Sequence, residues 1–353
     1  MNKLKMLSPL PTVDFDQFNK KIIAIREKIG VLKGACYGLP NPQLLLSPAV
    51  LRESLESSEI ENIVTTLANV LQAQLFPEAE RSANDKEVLR YNAALHAGMD
   101  EMKKRYFGSN TIRTVHATLV PSEPNFRTTQ NELRNARTNE VVYTPPPANA
   151  ISGYLSDLEK FINNEENGLD PIIKTVITHY QFESIHPFGD GNGRTGRILI
   201  VLCLIHFGLL DLPVLFISEY INNHKKEYYD TIRNVTDSGD WVSYISYMLD
   251  AFLYQAEKST QLLLTIKELH DTTKRLVREK LPKIYSRDLI DAIFNQPFIT
   301  PTRYSTIMKV SYQTGSKHLK QLEKIGVMKS VKLGKYLLFA NVKLMEQLNS
   351  GNS

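Results

Sequence analysis

The sequence predicts a mainly α-helical protein that carries two short β-hairpins, the second of them in a separate C-terminal part. Over most of the first 257 residues, apolar side chains recur at spacings of three and four, which is typical of amphipathic helices. The stretch 121–147 breaks this pattern with prolines, polar residues and a Val-Val-Tyr-Thr run, and it predicts an exposed hairpin. From residue 281 onward, short helical segments are followed by β-like residues around Gly334, and this change of pattern predicts a separate C-terminal domain.

Composition places the chain among ordinary globular proteins. Its 353 residues, 42% hydrophobic and 23% charged, are enough for two or three domains. The two cysteines, Cys36 and Cys203, are too few for a disulfide framework or a thiolate metal site, and they suit a reducing cytosol. Residues 1–10 lack the apolar run of a secretory signal, and the apolar stretch 198–210 is too short to cross a bilayer. We therefore expect a cytoplasmic protein with no membrane partner.

Three helix signals precede residue 70. Apolar spacing predicts a helix over residues 14–29 that stops at Gly30. The pair Ser47-Pro48 has the order of an N-cap followed by a first-turn proline, and it predicts a helix start. Ser58 and Glu61 form a capping-box pattern, which predicts that a further helix begins there.

Helical spacing then continues through the centre of the chain. The predicted helices cover residues 84–105, 110–119, 152–163, 171–185, 195–207, 219–236 and 241–257. The hairpin between them is predicted at about 130–144, and the prolines at 145–147 end it because proline donates no ladder hydrogen bond. Residues 258–280 are charged and helix-compatible, and they predict a connector.

The twelve residues from His186 to Arg197 are the densest in chemistry. An imidazole, a carboxylate, an amide and two guanidiniums stand among four glycines, between two helical stretches. A glycine-rich turn at a helix N-terminus favours an anion, and Arg194 and Arg197 can grip phosphate oxygens. Asp190 is then explained by a Mg²⁺ ion that bridges it to the phosphates. Because His186 can accept a proton near neutral pH, the loop predicts transfer of a phosphate-containing group from a nucleotide, with the group left open.

Other sites fit this stretch less well. The spacing of glycines 191, 193 and 196 matches a dinucleotide fingerprint, but that motif needs a preceding strand and residues 171–185 have helical spacing. No Walker motif is present in the sequence. A zinc site at His179 and His186 lacks a third ligand at sensible spacing. A plain glycine-rich turn would explain the glycines but not the histidine, aspartate, asparagine and arginines packed among them.

The stretch from His186 to Arg197 matches every defined position of H-P-F-x-[D/E]-G-N-G-R-x-x-R, the signature of the Fic (Fic/Doc) family. The chain resembles this family over roughly residues 15–255, including the segments 126–131 and 178–185. This resemblance implies a helical Fic core with a β-hairpin flap. It also implies transfer of AMP from ATP, with Mg²⁺, to a Ser, Thr or Tyr hydroxyl of a target protein.

The resemblance also implies roles for individual residues. His186 would be the general base, and Asp190 would hold Mg²⁺ on the α- and β-phosphates. Arg194 would contact the β-phosphate and Arg197 the γ-phosphate. The remaining nucleotide contacts implied are the Asn192 side chain, the Gly191 and Gly193 amides and the tyrosines Tyr228 and Tyr229, for which aromatic core packing is the alternative.

Two further elements follow from the resemblance. The hairpin would be the flap, where Val141, Val142 and Tyr143 pair with the target segment as an added strand. Many family members also carry an inhibitory helix with the pattern [S/T]-x-x-x-E-[G/N], and Ser57 to Asn62 fits it. An inhibitory helix is therefore expected near 57–68, with Glu61 paired to Arg197 in place of the γ-phosphate. The alternative is that Glu61 only caps its own helix.

The C-terminal segment predicts a winged helix-turn-helix domain over residues 281–345. Helices near 287–295 and 302–310 precede a basic helix over 311–326, and β-like residues follow. Residues 281–353 hold 11 Lys and Arg against 4 Asp and Glu, a net charge of +7. A polyanion such as DNA, or a protein, is the partner this suggests.

The family resemblance implies an autoinhibited protein adenylyltransferase that modifies a target protein or itself. The expected division is an N-terminal helical region (1–108), a Fic core (109–257), a connector (258–280), a winged-helix domain (281–345) and a tail (346–353). A Fic enzyme that uses another phosphate donor or removes AMP is one alternative. A nucleotide-sensing DNA-binding regulator is another, and a homodimer is left open.

Overall fold

The computed structural model describes residues 4–39, 42–134, 138–295, 297–333 and 335–349 and confirms a mainly helical protein with small antiparallel sheets. The helices are α1 (Asn19–Tyr37), α2 (Pro42–Ile60), α3 (Leu67–Ala73), α4 (Ala83–Lys104), α5 (Ser109–Leu119), α6 (Ile151–Asn163), α7 (Pro171–Ile185), α8 (Asn192–His206), α9 (Ser218–Asn223), α10 (Lys225–Ser238), α11 (Trp241–Lys280), α12 (Arg287–Asn295), α13 (Pro301–Met308), α14 (Tyr312–Lys324) and α15 (Val342–Asn349). The strands are β1 (Leu133–Arg134), β2 (Val141–Tyr143), β3 (Phe298–Ile299), β4 (Lys329–Leu333) and β5 (Tyr336–Ala340).

Helices α7 and α8 form the centre of the molecule. Both are buried along nearly their whole length, and they pack against each other. Asp170 caps the start of α7, where Pro171 takes the first helical position, and α7 ends at His186 in the left-handed conformation. The loop between α7 and α8 is therefore held at both ends by buried helices.

Helix α2 differs from the prediction. It is one continuous helix, so the predicted starts at Ser47-Pro48 and at Ser58 are both wrong. Pro42 takes the first-turn position that suits proline, and Ser58 is fully buried inside the helix instead of capping a new one. Its packing against α4 and α9 overrides the local capping pattern.

Glu61 consequently lies in the turn that ends α2. The amides of Glu61 and Ile63 both lie 3.0 Å from the Ser58 carbonyl oxygen, and Asn62 has a positive φ of 64°. Residues 63–66 are not helical, and α3 begins after a Thr66 cap. The expected helix over 57–68 is therefore wrong in its bounds, because its first part belongs to α2.

Three other predicted helix ends also move. Helix α1 passes through Gly30 to Tyr37, since its buried stripe continues through Leu32 and Cys36 and a glycine costs a helix only about 1 kcal/mol. The predicted connector is the second half of α11, whose buried stripe continues past residue 257. The predicted helix over 219–236 divides at His224 into α9 and α10.

Strands β1 and β2 form the predicted antiparallel hairpin. Leu133 lies opposite Tyr143, and Arg134 lies opposite Val141. The side chains of Val141 and Val142 are exposed, whereas Tyr143 donates a hydrogen bond of 2.7 Å to the Ser184 carbonyl oxygen of α7. Strand β2 is thus held against the core by Tyr143 and exposes two apolar side chains, Val141 and Val142.

The C-terminal part contains α12, β3, α13, α14 and the antiparallel pair β4 and β5, in that order. The short strand β3 was not predicted and completes a sheet in the order β3-β5-β4. The predicted tail instead begins inside α15, which buries Leu344 and Leu348. In the described ranges, none of the helices combines the length and apolarity needed to cross a membrane.

Candidate active site

The loop between α7 and α8 is anchored by Phe188 and Asn192. Phe188 is fully buried and stacks on His116, with ring centroids 3.5 Å apart and an angle of 4° between the planes. The Asn192 side chain accepts a hydrogen bond from the Phe188 amide (3.0 Å) and donates one to the Phe188 carbonyl oxygen (2.9 Å). The loop therefore has a fixed shape without a ligand, and Asn192 is one of the residues that fix it.

Arg127 connects the loop to the flap. Its Nε donates to the carbonyl oxygen of His186 (2.9 Å), Nη1 donates to that of Thr129 (3.0 Å) and Nη2 donates to that of Pro146 (2.5 Å). The Arg127 amide also donates to the Pro187 carbonyl oxygen (2.9 Å). No local sequence pattern indicates this role of Arg127, because its partners are backbone atoms that only the folded chain brings together.

His186 holds the geometry of a base. Its Nδ1 lies 3.3 Å from the Glu183 carbonyl oxygen, which can only accept, so Nδ1 carries the proton and Nε2 has a free lone pair. Burial lowers the pKa of His186 to about 4. The imidazole is therefore neutral at physiological pH and able to take a proton.

Asp190 lies on the exposed side of the loop, next to the buried Arg194. Gly191 has a φ of 74°, a conformation that favours glycine, and its amide donates to Asp190 Oδ1 (2.6 Å). The Asp190 side chain is 66% exposed, whereas Arg194 is buried and lies between Asp190 (3.4 Å) and Glu87 (2.8 Å). An exposed carboxylate beside an arginine suits Mg²⁺ held jointly by the protein and a polyphosphate, since Mg²⁺ often takes only one protein carboxylate. The described residues contain no cluster of three or more His, Cys, Asp or Glu side chains that would hold a metal alone.

The end of α2 makes three hydrogen bonds to Arg197. Its Nη2 donates to Glu61 Oε1 and to the Ser57 carbonyl oxygen, and its Nε donates to Ser57 Oγ, each at 2.8 Å. The Arg197 side chain is 1% exposed and that of Glu61 is 32% exposed. The Glu61 carboxylate also covers Gly193, where an added Cβ atom would collide with Oε1. The structure therefore brings Glu61 against both an arginine and a backbone position of the loop.

The two tyrosines differ in position. Tyr228 is buried, and its hydroxyl lies 2.7 Å from Nε2 of His179, so it belongs to the core. Tyr229 is 45% exposed and lines a groove of about 590 Å³ between the hairpin, α7 and α10, which we call the flap groove. The flap groove is lined by Leu133, Arg134, Val142 and Tyr143 of the hairpin, Glu183 and Ser184 of α7, and Tyr229, Ile232 and Arg233 of α10, among others.

Comparisons with known families match three consecutive parts of the chain. The model described as Fic/DOC family N-terminal matches residues 19–100, and that of the Fic/DOC family matches residues 106–204. A third, described as protein adenylyltransferase SoFic-like, C-terminal domain, matches residues 269–344. The chain belongs to the Fic/DOC family.

Curated relatives of this Fic protein include probable protein adenylyltransferase aq_aa38 from Aquifex aeolicus, 38% identical over 80 residues, which cover 23% of this chain and 25% of the relative. Protein adenylyltransferase Fic from Aedes aegypti is 28% identical over 153 residues, which cover 43% of this chain and 28% of the relative. The chain thus spans about a quarter of the length of these relatives.

Solved Fic structures share the fold. A Fic family protein from Desulfovibrio desulfuricans matches with a TM-score of 0.60 and 19% identity, covering 94% of this chain and 97% of that one. Fic-1 from C. elegans matches with a TM-score of 0.53 and 22% identity, covering 72% of this chain and 76% of that one. At these identities the likeness concerns the fold.

Proposed function

We propose that this Fic protein is a protein adenylyltransferase, which transfers AMP from ATP to a hydroxyl side chain of a target protein or of itself, and that Glu61 holds it inactive. The observation that carries the proposal is the ion pair between Glu61 and Arg197, next to a loop that retains every residue of the Fic signature. The two curated relatives named above, a probable protein adenylyltransferase and a protein adenylyltransferase, support the same activity.

His186 starts the reaction in this proposal. Its neutral Nε2 accepts the proton of the acceptor hydroxyl, whose oxygen then forms a bond to the α-phosphorus of ATP. The bond from the α-phosphorus to the oxygen that bridges to the β-phosphate breaks, and pyrophosphate leaves. The proton remains on the imidazole, which returns it to solvent.

The remaining loop residues hold the phosphates. The N-terminus of α8, with the Gly191 and Gly193 amides, favours their negative charge. Arg194 is buried beside Asp190, where it can meet the β-phosphate, and Asp190 would hold a Mg²⁺ ion that neutralises charge on the α- and β-phosphates. In this protein Asn192 contributes mainly by bracing the loop.

The flap supplies the place for the target segment. Strand β2 exposes Val141 and Val142 at the edge of a two-stranded sheet, and an extended peptide can add to such an edge through backbone hydrogen bonds. Tyr229 and the apolar residues of the flap groove offer a surface for the adenine ring. Tyr228 is buried with its hydroxyl against His179, and it also lines this groove.

A donor-labelling experiment tests the reaction. The Glu61→Gly variant is incubated with Mg²⁺ and with ATP labelled at either the α- or the γ-phosphate, and label on protein is measured after gel electrophoresis. AMP transfer predicts label from the α-phosphate alone, and a second change, His186→Ala, should remove it. Label from the γ-phosphate would instead identify a kinase, and release of AMP from protein labelled beforehand would identify the reverse activity.

A second candidate function concerns the C-terminal part, which we propose is a winged helix-turn-helix domain that binds double-stranded DNA. Gly315 of α14 packs so closely on α13 that a Cβ atom there would collide with Ser305 Oγ, which fixes the two helices as a pair. The outer face of α14 exposes polar and basic side chains, namely Gln313, Thr314, Lys317, Lys320 and Lys324. Lys335 and Tyr336, at the turn between β4 and β5, donate hydrogen bonds to Glu80 at 2.9 and 3.0 Å. Because this turn is already in contact with another part of the protein, we expect DNA to bind on α14.

Gel-shift titrations of the full chain with duplex DNA at several salt concentrations test this domain. Binding should weaken linearly on a logarithmic salt scale, and Lys317→Glu with Lys320→Glu should abolish it. A chain that shifts no DNA at low salt would make the domain a protein-docking module instead.

A further inference from the structure

Glu183 is a half-buried acidic residue that lines the flap groove and that the proposed chemistry does not use. It lies in the last turn of α7, three residues before His186, and its backbone carbonyl faces the imidazole. Its carboxyl oxygen Oε1 is buried and has no hydrogen-bond partner within the described part of the chain. An unsatisfied buried oxygen is costly, so its retention beside a binding groove points to a ligand.

The carboxyl group is placed by a close approach to α8. An added Cβ atom at Gly196 would collide with Glu183 Oε1 and lie 3.2 Å from its Cδ, so the glycine leaves the space that the carboxyl occupies. Gly196 directly precedes Arg197 in the sequence. Glu183 therefore lies beside the arginine that the γ-phosphate takes in the proposed function.

The charged and titratable groups that face Glu183 come from several elements. They are Arg197 of α8, Glu61 after α2, Tyr228, Tyr229 and Tyr244 of α10 and α11, and His186 of the loop. Burial, opposed by the nearby Arg197 and aided to a smaller extent by Glu61, raises the pKa of Glu183 to about 8. At neutral pH the protonated carboxylic acid is thus the favoured form, and it has a proton to donate.

We propose that Glu183 binds the nucleotide as a neutral carboxylic acid, donating a hydrogen bond to a phosphate oxygen beside Arg197. This inference rests on the proposed function. An ionised Glu183 would repel the phosphate and compete with it for Arg197, as Glu61 does. A protonated Glu183 instead donates a hydrogen bond to the phosphate. The negative charge of the bound phosphate in turn favours the protonated form of Glu183.

The test measures ATP affinity by calorimetry at about pH 7 and about pH 9, on either side of the expected titration. Three proteins are compared: Glu61→Gly alone, Glu61→Gly with Glu183→Gln, and Glu61→Gly with Glu183→Ala. The exposed Glu257 supplies the matched control, as Glu61→Gly with Glu257→Gln. Titration of ATP itself is common to all four proteins and cancels in the comparison.

We expect the Glu61→Gly protein to bind ATP about tenfold more weakly at the higher pH, and the Glu257→Gln control to behave alike. Glu183→Gln should lose the part of this pH dependence that exceeds the titration of ATP itself, because an amide keeps an N–H donor and cannot ionise. Glu183→Ala should bind about tenfold more weakly already at the lower pH. The proposal is overturned if Glu183→Gln keeps the full pH dependence, or if Glu183→Ala binds as tightly as its parent.

This outcome differs from a failure of the proposed function. If Glu183 has no role, the Glu61→Gly protein still binds ATP and transfers AMP, with a pH dependence that Glu183 substitutions leave unchanged. If the chain is not an adenylyltransferase, the Glu61→Gly protein transfers no AMP at either pH. Should Glu183→Ala fail to fold, as judged by thermal unfolding, the Glu183→Gln comparison still decides the question.

Discussion

The Nη2 atom of Arg197 lies 2.8 Å from Oε1 of Glu61, although 136 residues separate them in the sequence. The guanidinium is buried and the carboxylate is only one-third exposed, so the pair interacts more strongly than a surface ion pair would. Because Ser57 also binds Arg197 through its hydroxyl and its carbonyl oxygen, the end of α2 occupies much of this guanidinium. In the proposed function the γ-phosphate must displace these contacts.

Ser57→Ala should relieve the inhibition partly. It removes the bond between Ser57 Oγ and Arg197 Nε but leaves the carbonyl and Glu61 contacts in place. Self-labelling from α-labelled ATP should therefore rise above wild type but stay below that of Glu61→Gly. Ser58→Ala is the matched control, since the neighbouring Ser58 hydroxyl is buried with no hydrogen-bond partner in the described part of the chain. Equal labelling of the two alanine variants would exclude a role for the Ser57 hydroxyl.

His186→Ala in the Glu61→Gly background should lower transfer by at least about 100-fold, the contribution typical of a general base. The side chain makes one weak hydrogen bond to the Glu183 carbonyl oxygen, so its removal should leave the thermal unfolding midpoint and ATP affinity nearly unchanged. Stopped-time labelling assays, with unfolding curves alongside, measure both effects. Transfer that persists in a folded protein would show that another group takes the proton.

The pH dependence of transfer provides a separate check on the same residue. Burial lowers the pKa of His186 to about 4, so the imidazole stays neutral throughout the neutral range. Transfer by Glu61→Gly should be lost only as the pH falls through about 4, where protonation removes the base. If the initial rates instead follow a group with a pKa near 6.5, the ordinary value for histidine, burial does not lower the pKa of His186 in this way.

Arg127→Lys should loosen the loop and the flap together. A lysine ammonium cannot reproduce the three directions in which the guanidinium meets the carbonyl oxygens of His186, Thr129 and Pro146. We expect the free energy of unfolding to fall by about 2 kcal/mol, with a clear loss of transfer in the Glu61→Gly background. Arg113→Lys, an exposed arginine bound only to Asn110 among its described contacts, is the control and should change neither quantity.

Much of the fold follows from local patterns, because most helices carry their own apolar stripe and cap. The misplaced starts in α2 show the limit, since Ser58 has the pattern of a cap but is buried by contacts with distant helices. Strand β3 has only two residues and forms by pairing with β5, some forty residues later, which no local pattern indicates.

The candidate site divides in the same way. The loop from His186 to Arg197 stands out because its chemistry is contiguous in sequence. Arg127 and Glu183 do not stand out in the sequence. Arg127 binds backbone carbonyl oxygens from separate segments, and the position of the Glu183 carboxyl group depends on its contact with Gly196. Both are properties of packing, which appear only once the chain is folded.

If Glu61 blocks an otherwise complete adenylyltransferase, removing its carboxylate should release incorporation of AMP from ATP labelled at the α-phosphate. Wild type, Glu61→Gly, and Glu61→Gly with His186→Ala are compared at equal concentrations, with Glu59→Gly as a control for a glycine at the end of α2. We predict at least about tenfold more label on Glu61→Gly than on wild type, and background label on the His186→Ala double variant. Label that stays at the wild-type level in Glu61→Gly, while ATP binding persists, would show that Glu61 does not hold the protein inactive.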